Sequence, residues 1–175
     1  MTSTSRLDAV NEASGERAAE LLTACNASPD WIAQMLAHRP YPDIASLLST
    51  GERVARALPW AEVRRALDAH PRIGERARGD STEAEWSRRE QSSVATSDAG
   101  TQEELRRGNE AYEQRFGHVF LVRADGRSPE EMVAELHRRL GNDEVRERAE
   151  VTDQLAQITR LRLEKAFQPL QGADA

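Results

Sequence analysis

Apolar residues recur at intervals of three and four along most of the chain, with polar residues between them. In the first such stretch, about residues 7–25, the apolar positions are Val10, Ala13, Ala18, Leu21 and Leu22. This spacing places the apolar side chains on one face of an α-helix. Glycine and proline are sparse and fall between the periodic stretches, a pattern typical of helices joined by short loops.

Local signals mark where several of these helices begin. Four serine or threonine residues stand at predicted helix starts: Ser28, Thr82, Thr101 and Ser128. Ser28 and Ser128 are each followed by proline, which favours the first turn of a helix. Thr82 and Thr101 are each followed three residues later by glutamate, which is the spacing of a capping box. The last helix, about residues 142–167, is predicted to be the longest.

One stretch departs from the helical pattern. Residues 116–122 form a compact apolar run that is more extended than helical. The chain shows no internal repeat, low-complexity linker or obvious domain boundary. The sequence therefore predicts an all-α fold: a single-domain helical bundle of about seven to nine helices with one short extended segment. The domain is expected to span residues 1–175, with its core at about 7–167.

Composition agrees with this picture and restricts the class of protein. At 175 residues, 38% hydrophobic and 31% charged, the chain is long enough for one domain with a real core. It has no apolar run near the roughly 20 residues that span a bilayer. The first residues lack a signal-peptide pattern and the last carry no address motif, so the expected location is the cytoplasm. A single cysteine, Cys25, and the absence of zinc-ligand spacing argue against a disulfide or a metal site.

Charge argues against one class of partner. The formal net charge of −6 disfavours long-range attraction to nucleic acid. Nearly all basic residues are arginine, with Lys165 the only lysine. A compositional bias explains this most simply, although guanidinium groups can also bind anions in a bidentate manner.

The first candidate site residue is His70, in the run His70-Pro71-Arg72-Ile73-Gly74. Proline disfavours helix at the residue before it, so His70 is predicted to lie where the chain leaves a helix. A histidine there can act as a general acid or base near neutral pH. The alternative is a capping residue that binds the last carbonyls of the helix.

A second candidate is a polar helix face. Ser87, Glu90 and Gln91 are three and four residues apart, so they can point in one direction. They would present a hydroxyl, a carboxylate and an amide to one small polar ligand. The alternative is an ordinary exposed helix surface.

Arg162, in the last helix, is the third candidate. It falls on the same helical stripe as Val151, Leu155 and Ile158. A guanidinium on a buried face needs anionic or polar partners, because burying an unpaired charge is costly. A substrate could supply them, and so could a structural ion pair with Glu90 or another carboxylate.

The remaining histidines favour structural interpretations. His118 lies in the apolar run, where packing or capping is the expected role. His38 and His137 lie in polar helical contexts and are predicted to be surface residues.

Taken in order, these motifs resemble the OHCU decarboxylases, which act on 2-oxo-4-hydroxy-4-carboxy-5-ureidoimidazoline (OHCU). The resemblance rests on the run at residues 70–74, Ser87-x-x-Glu90-Gln91, Asn109-x-x-Tyr112-x-x-x-Phe116-Gly117-x-x-Phe120, and Arg160-Leu161-Arg162-Leu163. It covers about residues 7–167. His118-Val119 replaces the aromatic-proline pair frequent in the family. Arg160 and Arg162 could each align with the family's arginine, and the helical stripe selects Arg162.

The resemblance implies an all-α fold with a cleft and a carboxy-lyase that converts OHCU to (S)-allantoin in urate degradation. No metal or organic cofactor is expected, and a homodimer is plausible. By position, His70 is the expected acid/base and Glu90 its carboxylate partner. The expected substrate-binding residues are Pro71, Ser87, Gln91 and Arg162, with backbone N–H groups around Phe120 and Leu121.

Two other functions fit the sequence less well. One is a lyase or hydrolase that acts on another ureido or carboxylated ring compound, since folds and pockets are reused. The other is a helical interaction module that has lost catalysis. Such a module would not need His70, Glu90 and Arg162 together.

Overall fold

The computed structural model describes residues 6–74 and 81–167, and all regular secondary structure in these ranges is α-helical. The predicted all-α fold is confirmed. The helices are α1 (Arg6–Asn11), α2 (Gly15–Thr23), α3 (Pro29–Ala37), α4 (Ile44–Arg56), α5 (Trp60–Leu67), α6 (Thr82–Glu90), α7 (Ser92–Ala95), α8 (Ala99–Phe116), α9 (Pro129–Leu140) and α10 (Glu144–Phe167). The predictions about targeting signals concern residues 1–6 and 171–175, and all of these except Arg6 lie outside the described ranges. No helix in the described ranges is both long and apolar enough to cross a membrane.

The described ranges contain more helices than the predicted seven to nine because two predicted helices are each broken. The first is interrupted at residues 12–14, where Ser14 starts a new helix by accepting a hydrogen bond from the Arg17 N–H (3.3 Å). The other is interrupted at Gln91, whose backbone (φ −98°, ψ 15°) leaves the helical conformation between α6 and α7. The extra elements, α1 and α7, are only six and four residues long.

Two of the four predicted helix caps are confirmed. The hydroxyl oxygens of Ser28 and Ser128 each accept a hydrogen bond from the N–H three residues later, at 3.1 Å. The capping roles predicted for Thr82 and Thr101 were wrong, although α6 does begin at Thr82. Ser81 caps α6, one residue before Thr82, and Asp98 caps α8. Because the Asp98 carboxylate accepts from the Thr101 N–H (2.8 Å), Thr101 lies inside the first turn.

The segment between α8 and α9 contains no helix or strand, as its sequence predicted. Gly117 ends α8 in the left-handed region (φ 77°), which glycine adopts without steric cost. Beyond it, alternate side chains enter two different apolar clusters: those of Val119 and Leu121 pack in one, those of Phe120 and Val122 in the other. Alternation with a period of two indicates extended backbone.

These two clusters form the core. The larger lies mainly between α10 and the helices before residue 68, and it includes Trp31, Leu47 and Leu163. The smaller lies mainly between α8 and α9, and it includes Leu105 and Leu136. The extended segment therefore lies where the two clusters meet.

Gly108 allows α8 and α9 to approach closely. A Cβ at this position would lie 2.3 Å from Cδ2 and 3.0 Å from Cγ of Leu136. We expect Gly108→Ala to lower the free energy of unfolding by about 1–3 kcal/mol through overpacking, despite alanine's better helix propensity. Urea unfolding measures this. Gly15→Ala is the control, since nothing lies within 4 Å of its Cβ. Equal stability of the two variants would contradict the close approach.

Candidate active site

Four parts of the chain converge on one small cavity: the loop after α5, helix α6, the extended segment and helix α10. Seven of the eight predicted site residues line it: His70, Pro71, Ser87, Glu90, Gln91, Phe120 and Leu121. The eighth, Arg162, hydrogen-bonds to two of them. The structure therefore brings together residues that the sequence places up to 92 positions apart (162 − 70 = 92).

The cavity is narrow and lies next to a wider groove. Its volume is about 20 Å³, which is enough for about one water molecule. An open groove of about 470 Å³ lies beside it, lined by Arg64, Asp68, Arg72, His118 and others. His70 lines both spaces, so it lies at the boundary between them.

Arg162 is the most heavily bonded of the predicted residues. Its side chain is 1% exposed. Nε and Nη2 donate to the two carboxylate oxygens of Glu90, each at 3.1 Å, in a bidentate ion pair. Nη2 also donates to the Ser87 hydroxyl (3.2 Å), and Nη1 donates to the carbonyl of Ala24 (3.3 Å). Arg160 is 43% exposed and pairs with Glu52. The helical periodicity of the last helix therefore correctly indicated Arg162, not Arg160, as the arginine that reaches the site.

The structure pairs Glu90 with Arg162 rather than with His70, its predicted partner. The Glu90 carboxylate also lies 3.7 Å from Nζ of Lys165. No hydrogen bond joins Glu90 to His70 within the described part of the chain. The physical reason is that the planar guanidinium matches both carboxylate oxygens where α6 faces α10. The ion pair between Arg162 and Glu90, which the sequence analysis gave as the structural alternative to substrate binding, is thus present.

His70 lies at the exit of α5, as predicted. Its backbone N–H donates to the carbonyl of Leu67 (2.9 Å), which closes the last turn. Burial, and then the positive charge of Arg162, lower the pKa of His70 from 6.5 to about 3. The imidazole is therefore neutral near neutral pH. Its ring nitrogens take part in no hydrogen bond with other residues of 6–74 or 81–167.

This lowered pKa predicts a pH dependence of stability. Between about pH 3 and 6.5, the unfolded chain binds a proton at His70 that the folded protein does not. The free energy of unfolding is therefore highest above pH 6.5 and falls as the pH drops below that value. The slope is at most about 1.4 kcal/mol per pH unit, and is smaller because the His70 side chain is only half-buried. In urea unfolding at several pH values, the free energy of unfolding of His70→Asn should fall less steeply with acidification than that of the wild type. Equal slopes would contradict the lowered pKa.

The loop that follows His70 is held from two sides. The side-chain oxygen of Gln91 accepts a hydrogen bond from the N–H of Gly74 (3.0 Å), whose φ of 94° favours glycine. On the other side, Nδ2 of Asn109 donates to the carbonyl of Ile73 (2.7 Å). Gln91 therefore shapes the loop as well as lining the cavity.

The extended segment is held by residues that the sequence analysis did not single out. Nη1 of the buried Arg139 donates to the carbonyl of Leu121 (2.5 Å). The side-chain oxygen of Gln154 accepts from the N–H of Arg123 (2.9 Å). Within the described ranges, no hydrogen bond uses the N–H of Phe120 or Leu121.

The other histidines occupy the positions expected of them. The His118 ring packs edge-on against Trp60 (5.2 Å between centroids) and Tyr112 (5.5 Å), and Nδ1 lies 3.1 Å from the carbonyl of Val119. Burial lowers the pKa of His118 as well. His38 and His137 are exposed. Among the described residues, no three or more His, Cys, Asp or Glu side chains are grouped so that they could hold a metal.

Comparison with known proteins places this site in a family. A profile of the OHCU decarboxylases matches residues 11–164, most of the chain. The chain belongs to the OHCU decarboxylase family. Members of this family are carboxy-lyases, and the resemblance seen in the sequence is confirmed.

Individual relatives agree with this assignment. An OHCU decarboxylase from Haloferax volcanii is 30% identical over 139 residues, covering 78% of this chain and 81% of that protein. An OHCU decarboxylase from Amia calva is 29% identical over 132 residues, covering 74% and 75%. A crystal structure of OHCU decarboxylase in the presence of (S)-allantoin has a TM-score of 0.73 and 26% identity, and covers 86% of this chain and 99% of that one.

Proposed function

We propose that this OHCU decarboxylase family member converts OHCU to (S)-allantoin in urate degradation. The observation that carries the proposal is the convergence of His70, Ser87, Glu90, Gln91 and Arg162 at one cavity. These are the polar residues expected by position for the reaction.

The substrate's own structure supplies the electron sink. One ring carbon carries a hydroxyl and a carboxylate, and the neighbouring carbon is part of a C=N bond. When the carbon–carboxylate bond breaks, CO₂ leaves and its bonding electrons form a C=C bond, while the C=N electrons move onto nitrogen. Conjugation shares that charge with the ring 2-oxo oxygen. Protonation of the ureido-bearing carbon on one face and of the ring nitrogen, with loss of the hydroxyl proton, then yields one enantiomer of allantoin. Solvent supplies the one net proton that the reaction consumes.

His70 is the proposed acid/base of this reaction. Its imidazole is neutral near neutral pH, and a substrate carboxylate beside it would raise its pKa, so that it can accept the proton of the substrate hydroxyl. It can return a proton to the ureido-bearing carbon in the second half. Its place at the boundary of cavity and groove would let it contact a substrate that enters from the groove.

Arg162 is proposed to bind an anionic or carbonyl oxygen of the substrate. Glu90 and Ser87 hold its guanidinium in one orientation, so the donor is preorganised rather than recruited during the reaction. Glu90 therefore acts through Arg162 in this scheme. Gln91, Pro71 and the backbone N–H groups around Phe120 and Leu121 complete the proposed binding surface.

A coupled assay tests the proposal. Urate oxidase and hydroxyisourate hydrolase generate OHCU from urate, and circular dichroism follows the appearance of (S)-allantoin. We expect rapid formation of one enantiomer in proportion to the amount of protein. Only the slow racemic background would mean that the chain acts on another ureido acid. The cytoplasmic location, the homodimer, the single domain and the absence of a cofactor stay predictions.

A further inference from the structure

A buried cluster of charged and polar side chains lies against the extended segment, and the proposed reaction does not use it directly. Arg139 of α9 and Glu147 of α10 are both 0% exposed. Nε of Arg139 donates to Oε1 of Glu147 (2.7 Å), and Nη2 donates to the same oxygen. The Tyr112 hydroxyl donates to that oxygen at 2.5 Å, and Asn142 donates to the other (3.0 Å).

Stability alone is a weak explanation for this ion pair. The free-energy cost of desolvating two buried charges is roughly as large as the gain from their attraction. Well-packed apolar residues at the same positions therefore frequently give a protein of equal stability. The third nitrogen of Arg139 points to another role. Nη1 donates to the carbonyl of Leu121 (2.5 Å), and the guanidinium lies 4.7 Å from the centroid of the Phe120 ring. Arg139 thus contacts two consecutive residues of the cavity wall.

This contact fixes the direction of one N–H group. The peptide bond between Leu121 and Val122 is trans, so its C=O and N–H point in opposite directions. With the carbonyl of Leu121 turned toward Arg139, the N–H of Val122 is directed away from it. Val122 lines the cavity, and none of the hydrogen bonds among the described residues uses its N–H.

We propose that Arg139 and Glu147 are positioning residues: they orient the Leu121–Val122 peptide so that the Val122 N–H donates to the substrate oxygen that gains charge as CO₂ leaves. The inference rests on the proposed function. Glu147 orients the guanidinium of Arg139, and this guanidinium binds the carbonyl of Leu121. The N–H of Val122, at the other end of the same peptide group, is thereby fixed as a donor. Gln154 holds the next peptide through the N–H of Arg123. A donor fixed in advance needs no reorganisation during the reaction.

The test is the double variant Arg139→Met/Glu147→Gln, which removes both buried charges and leaves neither unpaired. We expect the far-ultraviolet circular dichroism spectrum and the melting temperature to stay close to those of the wild type. In the coupled assay, kcat should fall by about 100-fold, the scale of one preorganised donor, with little change in KM. The allantoin formed should also be less enantiomerically pure.

A neighbouring ion pair provides a matched control. Arg138 and Glu135 of α9 pair at 2.6 Å, with Arg138 48% exposed and no contact to the extended segment among their hydrogen bonds. The variant Arg138→Met/Glu135→Gln makes the same chemical change one helix position away from the cluster. It should keep the wild-type kcat and enantiomeric purity.

A second variant decides the question if the double variant does not fold. Incorporating α-hydroxyisovaleric acid at position 122 replaces the Val122 N–H with an ester oxygen and leaves both charged side chains in place. A similar loss of kcat supports the inference. Unchanged kcat in either folded variant overturns it. An inactive wild-type protein would instead reject the proposed function, so the two failures are distinguishable.

Discussion

His70→Asn should lower kcat by about 10²–10⁴-fold, the usual contribution of a general acid or base. The imidazole lines both the cavity and the groove, and it is neutral near neutral pH. A substrate carboxylate bound beside it would raise its pKa and make it a stronger base. Asparagine can fill much of the same space but cannot exchange a proton near neutral pH. The coupled assay from urate, followed by circular dichroism, measures the loss.

The same substitution at an exposed histidine provides the control. His38→Asn removes an imidazole that lies outside the site and should leave kcat unchanged. Both variants should retain the helical circular dichroism spectrum of the wild type. Near-normal turnover by a folded His70→Asn protein would remove His70 from the proposed mechanism.

Arg162→Met should have the largest effect on stability. It leaves Glu90 with only Lys165, 3.7 Å away, as a charged partner among the described residues. Breaking a buried pair by removing one partner costs about 3–5 kcal/mol, a large share of the roughly 5–15 kcal/mol typical of a domain. Urea unfolding at low temperature should show this loss, and decarboxylation should fall by at least about 100-fold.

A double variant separates the structural role of the pair from its proposed chemical role. Glu90→Met/Arg162→Met leaves no unpaired carboxylate and should recover most of the lost stability. Activity should stay low, because the preorganised donor is still missing. Full activity in the double variant would show that the ion pair serves the fold alone. The surface pair of Arg160 and Glu52, changed in the same way, is the matched control.

Much of the site was predictable because local rules placed its residues. Proline after His70 indicated a helix exit, and spacing on α6 put Ser87 and Glu90 on one face. The stripe argument separated the buried Arg162 from the exposed Arg160 two residues earlier. Each inference needed only local rules: the steric effect of proline or the periodicity of the helix.

The pairing of Glu90 was not predictable in the same way. A carboxylate on a helix face binds whichever cation the packing of another helix brings to it. Here α10 supplies Arg162 from 72 residues away, and no local pattern encodes that distance in space. The same holds for the cap of α6, where adjacent serine and threonine residues, Ser81 and Thr82, are equally suitable in sequence.

Arg139 was missed although the stripe argument applies to it. It follows Met132 and Leu136 on the buried face of α9, at the spacing that selected Arg162 on α10. Because nearly all basic residues of the chain are arginine, the residue type alone does not distinguish Arg139 from the others. An arginine on an apolar stripe is therefore informative even where arginine is common.

The bonds of Arg162 also bear on how the protein acquires activity during folding. They join α10 to Ser87, Glu90 and the carbonyl of Ala24 across 75, 72 and 138 residues of sequence. Closing such long loops is entropically costly and comes late relative to local helix formation. In a refolding experiment, helical signal should therefore return before decarboxylation does. Enzymatic turnover would then report the moment when the two ends of the chain have met.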